Sequence, residues 1–177
     1  MKILLTFFVL LFSSSVLSEG ISDFQIEEIS VGDSLLDYYS KNEISNMHIL
    51  PYKKLFDILV FKSNGQYDDL QFTVKKKDKL YKIYALEGLI EKKIEECLSF
   101  KKNVVLDITE TLGEGKQFID YGKNKHNYDK SGKSYFYSNE YYFNDGSEIR
   151  VTCVDWSEDI HKKDNFFDNF RISMNSY

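Results

Sequence analysis

The chain is poor in the residues that usually break, staple or charge a fold. It holds one proline, Pro51, and one alanine, Ala85, so proline-rich linkers and alanine-rich helices are both excluded. Two arginines, Arg150 and Arg171, stand among 23 basic residues, and the net charge is -5; this excludes an arginine-rich nucleic-acid surface. Three histidines, His48, His126 and His161, are scattered without HExxH or other ligand spacing, and no metal or cofactor is expected. Two cysteines lie too far apart for a CxxC redox pair, and no GxSxG nucleophile motif occurs. After residue 18 no apolar run approaches the ~20 residues that cross a bilayer. The abundance of Lys, Asn, Ile, Tyr and Phe beside these shortages follows AT-rich codons and points to a bacterial source.

What is present begins with a leader, MKILLTFFVLLFSSSVLSEG. Lys2 supplies the positive start, residues 3–12 the apolar core, and residues 13–18 a small-residue segment with Val16 and Ser18 in the −3 and −1 places. This predicts a signal peptide over residues 1–18, cleaved near Ser18-Glu19, and a periplasmic or secreted destination. No cysteine sits at the cut to carry a lipid, so the mature chain, residues 19–177, is expected to be one domain with no membrane anchor. Glu19, Asp23, Glu27, Glu28, Asp33 and Asp37 precede Lys41 with no basic residue among them, a pattern of a solvated edge rather than a metal site.

The longest helical pattern spans residues 89–112. Ile94, Cys97, Leu98, Val105, Ile108 and Leu112 share one face, Lys92, Glu96, Asn103, Asp107 and Glu110 the other, and Gly113 is placed to end it. Residues 146–156 alternate as a strand, with Ile149, Val151 and Cys153 on one face. In an oxidising compartment two inward thiols favour a Cys97–Cys153 disulfide; the alternative is two buried free thiols.

Around these lie the other elements. Capping patterns at Ser34/Asp37 and Ser40/Glu43 predict one short helix or two helical turns over 34–46, burying Leu35, Leu36 and Tyr39, with Pro51 closing the region. Strands are expected at 54–62, 66–75 and 80–86, turning at Asn64-Gly65 and Lys77-Asp78. A Gly- and Lys-rich connection covers 114–133. A hairpin follows, 134–143 with 147–156, on a three-residue Asn144-Asp145-Gly146 loop with Gly146 left-handed, which sets Tyr141 opposite Ile149 and Tyr137 opposite Cys153. Residues 159–164 read as a charged loop and 166–174 as a last strand. The order α-βββ-α-βββ predicts an α+β fold, an antiparallel sheet from a doubled helix-plus-three-strand unit with helices on one face.

Chemistry-bearing motifs are few. SGKS at 131–134 ends like a phosphate-binding loop, but position 127 is Asn rather than Gly and a strand follows. The loop YGKNKHNYDKSGK, with Lys123, Lys125, Lys130 and Lys133, could meet an anionic partner or a glycan, or be a solvated loop. Asp155, Glu87 and Glu140 are acids on strands where burial could make a general acid, or where a wet sheet end explains them. Phe136 and Tyr142 fall on the face opposite Tyr137 and Tyr141. The candidate ligand or partner surface is therefore Tyr121, His126, Tyr128, Phe136 and Tyr142; no catalytic residue is assigned.

Through FQIEEISVGDSLLDYYS, DKSGKSYFYSNEYYFNDGSEIRVTCVDWS and the leader, the chain resembles small exported proteins of marine alphaproteobacteria with AT-rich genomes. The resemblance implies export and carries no activity with it. Through VGDSLLDYYS it more weakly resembles the outer-membrane assembly lipoprotein and β-lactamase-inhibitor-like folds, in which a helix precedes a three- or four-stranded meander. The function expected is a non-catalytic cell-envelope binding or interaction module, with an unidentified envelope protein or small ligand as partner. Alternatives are a periplasmic small-molecule or glycan binder using an aromatic surface, and a hydrolase.

Overall fold

A computed structural model describes residues 20–112 and 116–176. The expected signal peptide and the helix-ending Gly113 lie outside the described residues. The fold is α+β. Three α-helices, α1 (Lys41–Asn46), α2 (Ile94–Leu112) and α3 (Glu158–Asp164), accompany eight strands: β1 (His48–Tyr52), β2 (Phe56–Lys62), β3 (Asp69–Lys75), β4 (Ile83–Glu91), β5 (Gln117–Lys125), β6 (Tyr135–Tyr142), β7 (Glu148–Asp155) and β8 (Asn169–Asn175). They form one antiparallel sheet in the order β1-β2-β3-β4-β8-β7-β6-β5. Two meanders therefore meet through their last strands, β4 and β8.

α1 and α2 are each followed by four strands rather than the three expected, with α3 inserted before the last strand of the second set. The additional strands, β1 and β5, are the two outer edges of the sheet. β1 is exposed throughout and contains Pro51, which an edge strand tolerates better than a central one because it carries ladder hydrogen bonds on one side only. β5 occupies the stretch read as a connection. It pairs only with β6, is interrupted by an irregularity between Asp120 and Gly122, and shows no buried side chain. Neither edge has the one-sided burial that makes period-two alternation visible.

α2 begins at Ile94 rather than near residue 89, because Leu89–Glu91 continue β4 and pair with Arg171, Phe170 and Asn169 of β8. Gly88 lies inside β4, not at a helix entrance. The ring of Tyr67 rests against it, and a Cβ there would lie 2.5 Å from that ring. The expected hydrophobic face is present. Cys97, Ile108 and Leu112 are buried, and Ile94, Leu98 and Val105 pack on the same core. Lys101 joins that face as well, its Nζ bonding the Asn139 side chain of β6. Cys97 and Cys153 form a disulfide with their Cα atoms 5.9 Å apart, joining α2 to β7.

The β6–β7 hairpin has the expected register, Tyr141 with Ile149 and Tyr137 with Cys153. Gly146 is left-handed at φ 85°, and Phe143 N–H donates to Ser147 C=O across the three-residue loop. The Asn64-Gly65 turn differs from expectation. β2 ends at Lys62 and β3 starts at Asp69, and Gly65 has no positive φ. The loop wraps the Glu27 carboxylate instead, which accepts from Ser63 Oγ at 2.7 Å, Gln66 N–H at 2.8 Å and Tyr67 N–H at 3.1 Å. A Cβ at Gly65 would collide with that carboxylate. Glu27 reaches it from backbone with positive φ at both Glu27 (51°) and Glu28 (68°).

The region 34–46 resolves into a 3-10 turn, Leu35–Asp37, and α1, with capping boxes on Ser34 and Ser40. The segment read as a charged loop is the helix α3. It does not join α2's layer. Its Ile160 packs with Val154, Trp156 and Phe136, and Val154 and Phe136 belong to the sheet face opposite Cys153 and Tyr137. The last strand begins at Asn169, so Phe166 and Phe167 stay outside it, both exposed.

Candidate functional site

Alternation assigns every second residue of the central strands to the face that α2 leaves uncovered. The pairing then lines these residues up in rows across the sheet. One row runs Gln71, Glu87, Ser173, Arg150, Glu140; the next runs Asp69, Leu89, Arg171, Thr152, Ser138; a third runs Thr73, Ala85, Asn175, Glu148, Tyr142. Both arginines of the chain stand on this face, on adjacent strands. Two adjoining clefts, of about 420 and 650 Å³, share Glu87, Arg150, Arg171 and Ser173 and together make one groove across the strands.

The glutamates and arginines in the groove are paired with one another. Arg150 Nε lies 2.6 Å from Glu140 and an outer guanidinium nitrogen 3.0 Å from Glu148. Asn175 Nδ2 also donates to Glu148, at 3.1 Å. Arg171 donates through Nε to Asn169 Oδ1 at 2.7 Å and approaches Glu87 at 3.4 Å. Burial raises the pKa of Glu87, while the guanidiniums of Arg171 and Arg150 pull it back. Tyr142 donates to Glu140, and that bond, with the Tyr121 hydroxyl 3.4 Å away, pushes its phenol strongly upward. Between the charges, Ser138 and Thr152 hydroxyls bond each other at 3.2 Å.

Aromatic rings wall both ends. At one end stand Tyr121, His126 and Phe136. At the other stand Tyr52, Phe56 and Tyr84, with the Phe56 and Tyr84 rings edge to face at 5.3 Å. Of the five surface candidates, Tyr121, His126 and Phe136 line the groove, and Tyr142 meets it through Glu140 and Tyr121. Tyr128 stays apart, on an outer cluster with Trp156 (5.9 Å) and Phe166 (5.4 Å). Burial and the Arg171 charge lower the His126 pKa. Arg150, Arg171, Ser173 and Thr152 join the groove without being among the five surface candidates. For the two arginines the sequence signal is the concentration of a scarce residue type on two strands with the same alternation.

Asp155 lies at the end of β7. Burial and the nearby Asp168 raise its carboxyl, and it is remote in register from Glu87 and Glu140. Among the described residues, no three His, Cys, Asp or Glu side chains converge as a metal site. His48 is on the β1 edge, while His161 on α3 has Nε2 3.1 Å from the Trp156 carbonyl.

The SGKS segment is closed to phosphate by its own neighbour. The Asp129 carboxylate accepts from Ser131 N–H (2.8 Å), Ser134 N–H (2.9 Å), Ser134 Oγ (2.7 Å) and Ser157 Oγ (3.1 Å). Those donors are the ones an anion would need. They also tie the 126–134 loop to the start of α3. Hydrogen bonds to the charged form depress the Asp129 pKa, so its contribution to stability is complete above the unfolded value of roughly 4 and is lost as pH falls toward the folded value. Asp129→Asn is expected to lower the melting temperature at pH 7 and to flatten the loss of stability below pH 4. Thermal melts of both proteins between pH 2 and 7 measure this, and parallel curves would refute it.

No helix of the described residues is long and apolar enough to cross a membrane. Comparison of the chain with protein-family models and with curated proteins yields no match to either.

Proposed function

We propose that the protein is a non-catalytic binding module of the cell envelope, and that its binding surface is the sheet face opposite α2, beside the part that α3 covers. The observation that carries this reading is the groove in which both arginines, three glutamates and a ladder of hydroxyls lie between two aromatic ends. Rigid strands hold these groups, as a preorganised binding site requires. The envelope location rests on the leader and on a buried disulfide, which suits an oxidising compartment. We further read the two four-strand meanders as two copies of one plan, a doubled arrangement with an additional strand in each copy.

A ligand for the groove is favoured over a flat protein interface by the charge at its centre. Protein-interface cores are depleted in charged residues, whereas here glutamate and arginine occupy the middle and aromatics the ends. The large exposed apolar residues Ile49, Leu50, Leu55 and Leu80 lie outside the central strands. A hydrolase reading finds less support, because Glu87 on β4 and Glu140 on β6 are separated by two intervening strands.

Arginine-specific labelling reads this face directly, since Arg150 and Arg171 are the chain's two arginines. Incubation with protein, glycan or small-molecule fractions of a native envelope, followed by phenylglyoxal and intact mass, should reduce labelling with one fraction. Unchanged labelling with every fraction would refute the binding face.

A further inference from the structure

We infer that the groove takes a neutral, linear oligosaccharide lying across the strands; this rests on the reading of the uncovered face as a binding surface and names the ligand class. Three observations carry it.

The first is charge compensation. Arg150 is bracketed by Glu140 and Glu148, and Arg171 is held between Glu87 and Asn169. Neither sign is in excess by more than one charge, so the groove offers no strong attraction to a free anion or cation. Paired guanidinium and carboxylate groups offer something else: fixed donors and acceptors side by side. Vicinal hydroxyls, each both donor and acceptor, match that arrangement. Gln71, Thr73, Thr152, Ser138 and Ser173 continue it across the floor.

The second is the placement of the aromatic rings. Sugar rings present apolar C–H faces, which pack on aromatic faces while their hydroxyls point sideways. The groove puts aromatic rings at both ends and polar groups between, the order that a chain of several sugar units would meet. A compact ligand would need one wall, not two separated ones.

The third is reach. From Phe56 on β2 to Phe136 on β6 there are five strand-to-strand steps, β2-β3-β4-β8-β7-β6. At roughly 4.8 Å per step this is about 24 Å. That span excludes a monosaccharide that touches both walls and suits an extended oligomer. Phe56 and Phe136 lie beyond opposite outer rows of the three, so the ligand crosses the strands obliquely and successive sugars meet successive strands.

The test is isothermal titration of the purified protein with cellohexaose, maltohexaose, laminarihexaose and chitohexaose, with hexagalacturonate and a chitosan hexamer as charged controls. Saturable binding of at least one neutral hexamer is expected, with its trimer weaker by tenfold or more, because it reaches one wall only. Tyr84→Ala and Tyr121→Ala, at opposite ends, should each weaken binding by roughly tenfold, with melting temperatures measured alongside. Ring-current shifts of the sugar C–H resonances on the unaltered protein give a readout that needs no variant. Tighter binding of either charged hexamer, equal binding of trimer and hexamer, or binding by no neutral sugar would overturn the inference. If no sugar binds while an envelope protein fraction still shields the arginines from phenylglyoxal, the ligand class fails and the binding face stands. If neither occurs, both fail.

Discussion

Loss of the Cys97–Cys153 bond is expected to destabilise the fold by up to about 4 kcal/mol, the chain-entropy estimate for a loop of this length. The two cysteines are 56 residues apart and both are fully buried. The bond joins the middle of the sheet, through β7, to the first turns of the helix that covers it. α2 packs on β7 and β8, and the segment after Leu112 leads to the edge strand β5. Without the bond, the helix rests on Ile108, Leu112, Leu98 and Val105 and on the Tyr141 hydroxyl, which donates to the Val105 carbonyl at 2.8 Å. A Cys97→Ala, Cys153→Ala double variant should therefore unfold at a lower urea concentration, with a slope equal or steeper because its unfolded chain is no longer cross-linked. The native protein should resist alkylation even with reductant present, since neither sulfur is accessible. Two readily alkylated cysteines without reductant would refute the bond itself, and a loss below about 1 kcal/mol would show that packing alone holds α2.

The helix, the disulfide and the β6–β7 register were legible in the sequence for one reason. Each is written in apolar residues that recur on one side of its element. Ile94, Cys97, Leu98, Val105, Ile108 and Leu112 carry the helical period, and Ile149, Val151 and Cys153 the strand period. The edges carried no such period. β1 and β5 expose both sides, so their hydrophobicity follows no pattern, and Pro51 argues against a strand to any reading that assumes a central position. α3 carries a legible signal in its charges rather than its apolar period: Glu158 and Asp159 in its first turn, His161, Lys162 and Lys163 in its last, the charge order that suits a helix dipole. Asn64-Gly65 failed differently. Its turn chemistry is strong, but a tertiary contact with Glu27, nearly forty residues earlier, sets the loop.

The groove was half legible. Phe136 and Tyr142 follow from alternation and Tyr121 and His126 from the lysine-rich loop, and Tyr121, His126 and Phe136 do come together. Their polar partners did not follow, because the register between β4 and β8 joins residues 87 and 173, and no local pattern records that pairing. The scarcity of arginine was visible and has a compositional cause. What composition does not account for is position: the two arginines kept by a lysine-rich chain stand in neighbouring rows of one face. Lysine offers a point charge there, whereas the planar guanidinium fork can address two acceptors at fixed geometry.

Arg150→Ala tests that distinction and is expected to destabilise the protein by about 3 kcal/mol. The Glu140 and Glu148 side chains are only 8% and 3% exposed, and Arg150 sits between them with 42% of its own side chain exposed. Removing it strands two carboxylates in a sheet face that Asn175 and Tyr142 satisfy only in part, with one hydrogen bond to each. Breaking one member of a buried ionic set costs more than removing the set, since the partner charges keep their desolvation penalty. A triple variant, Glu140→Gln, Arg150→Met, Glu148→Gln, should accordingly recover most of the loss. Arg150→Lys should fall between, because an ammonium reaches one carboxylate well and the second poorly. Urea unfolding of the four proteins gives the ordering, wild type above the triple variant, then Lys, then Ala. If Arg150→Ala were no worse than the triple variant, the guanidinium would be holding neither acid, and the groove's central donors and acceptors would not be fixed in place. If the ordering holds, the two buried acids that stabilise the sheet also fix the half-exposed Arg150 guanidinium at a set position in the groove. Binding chemistry on this face is then inseparable from its stability.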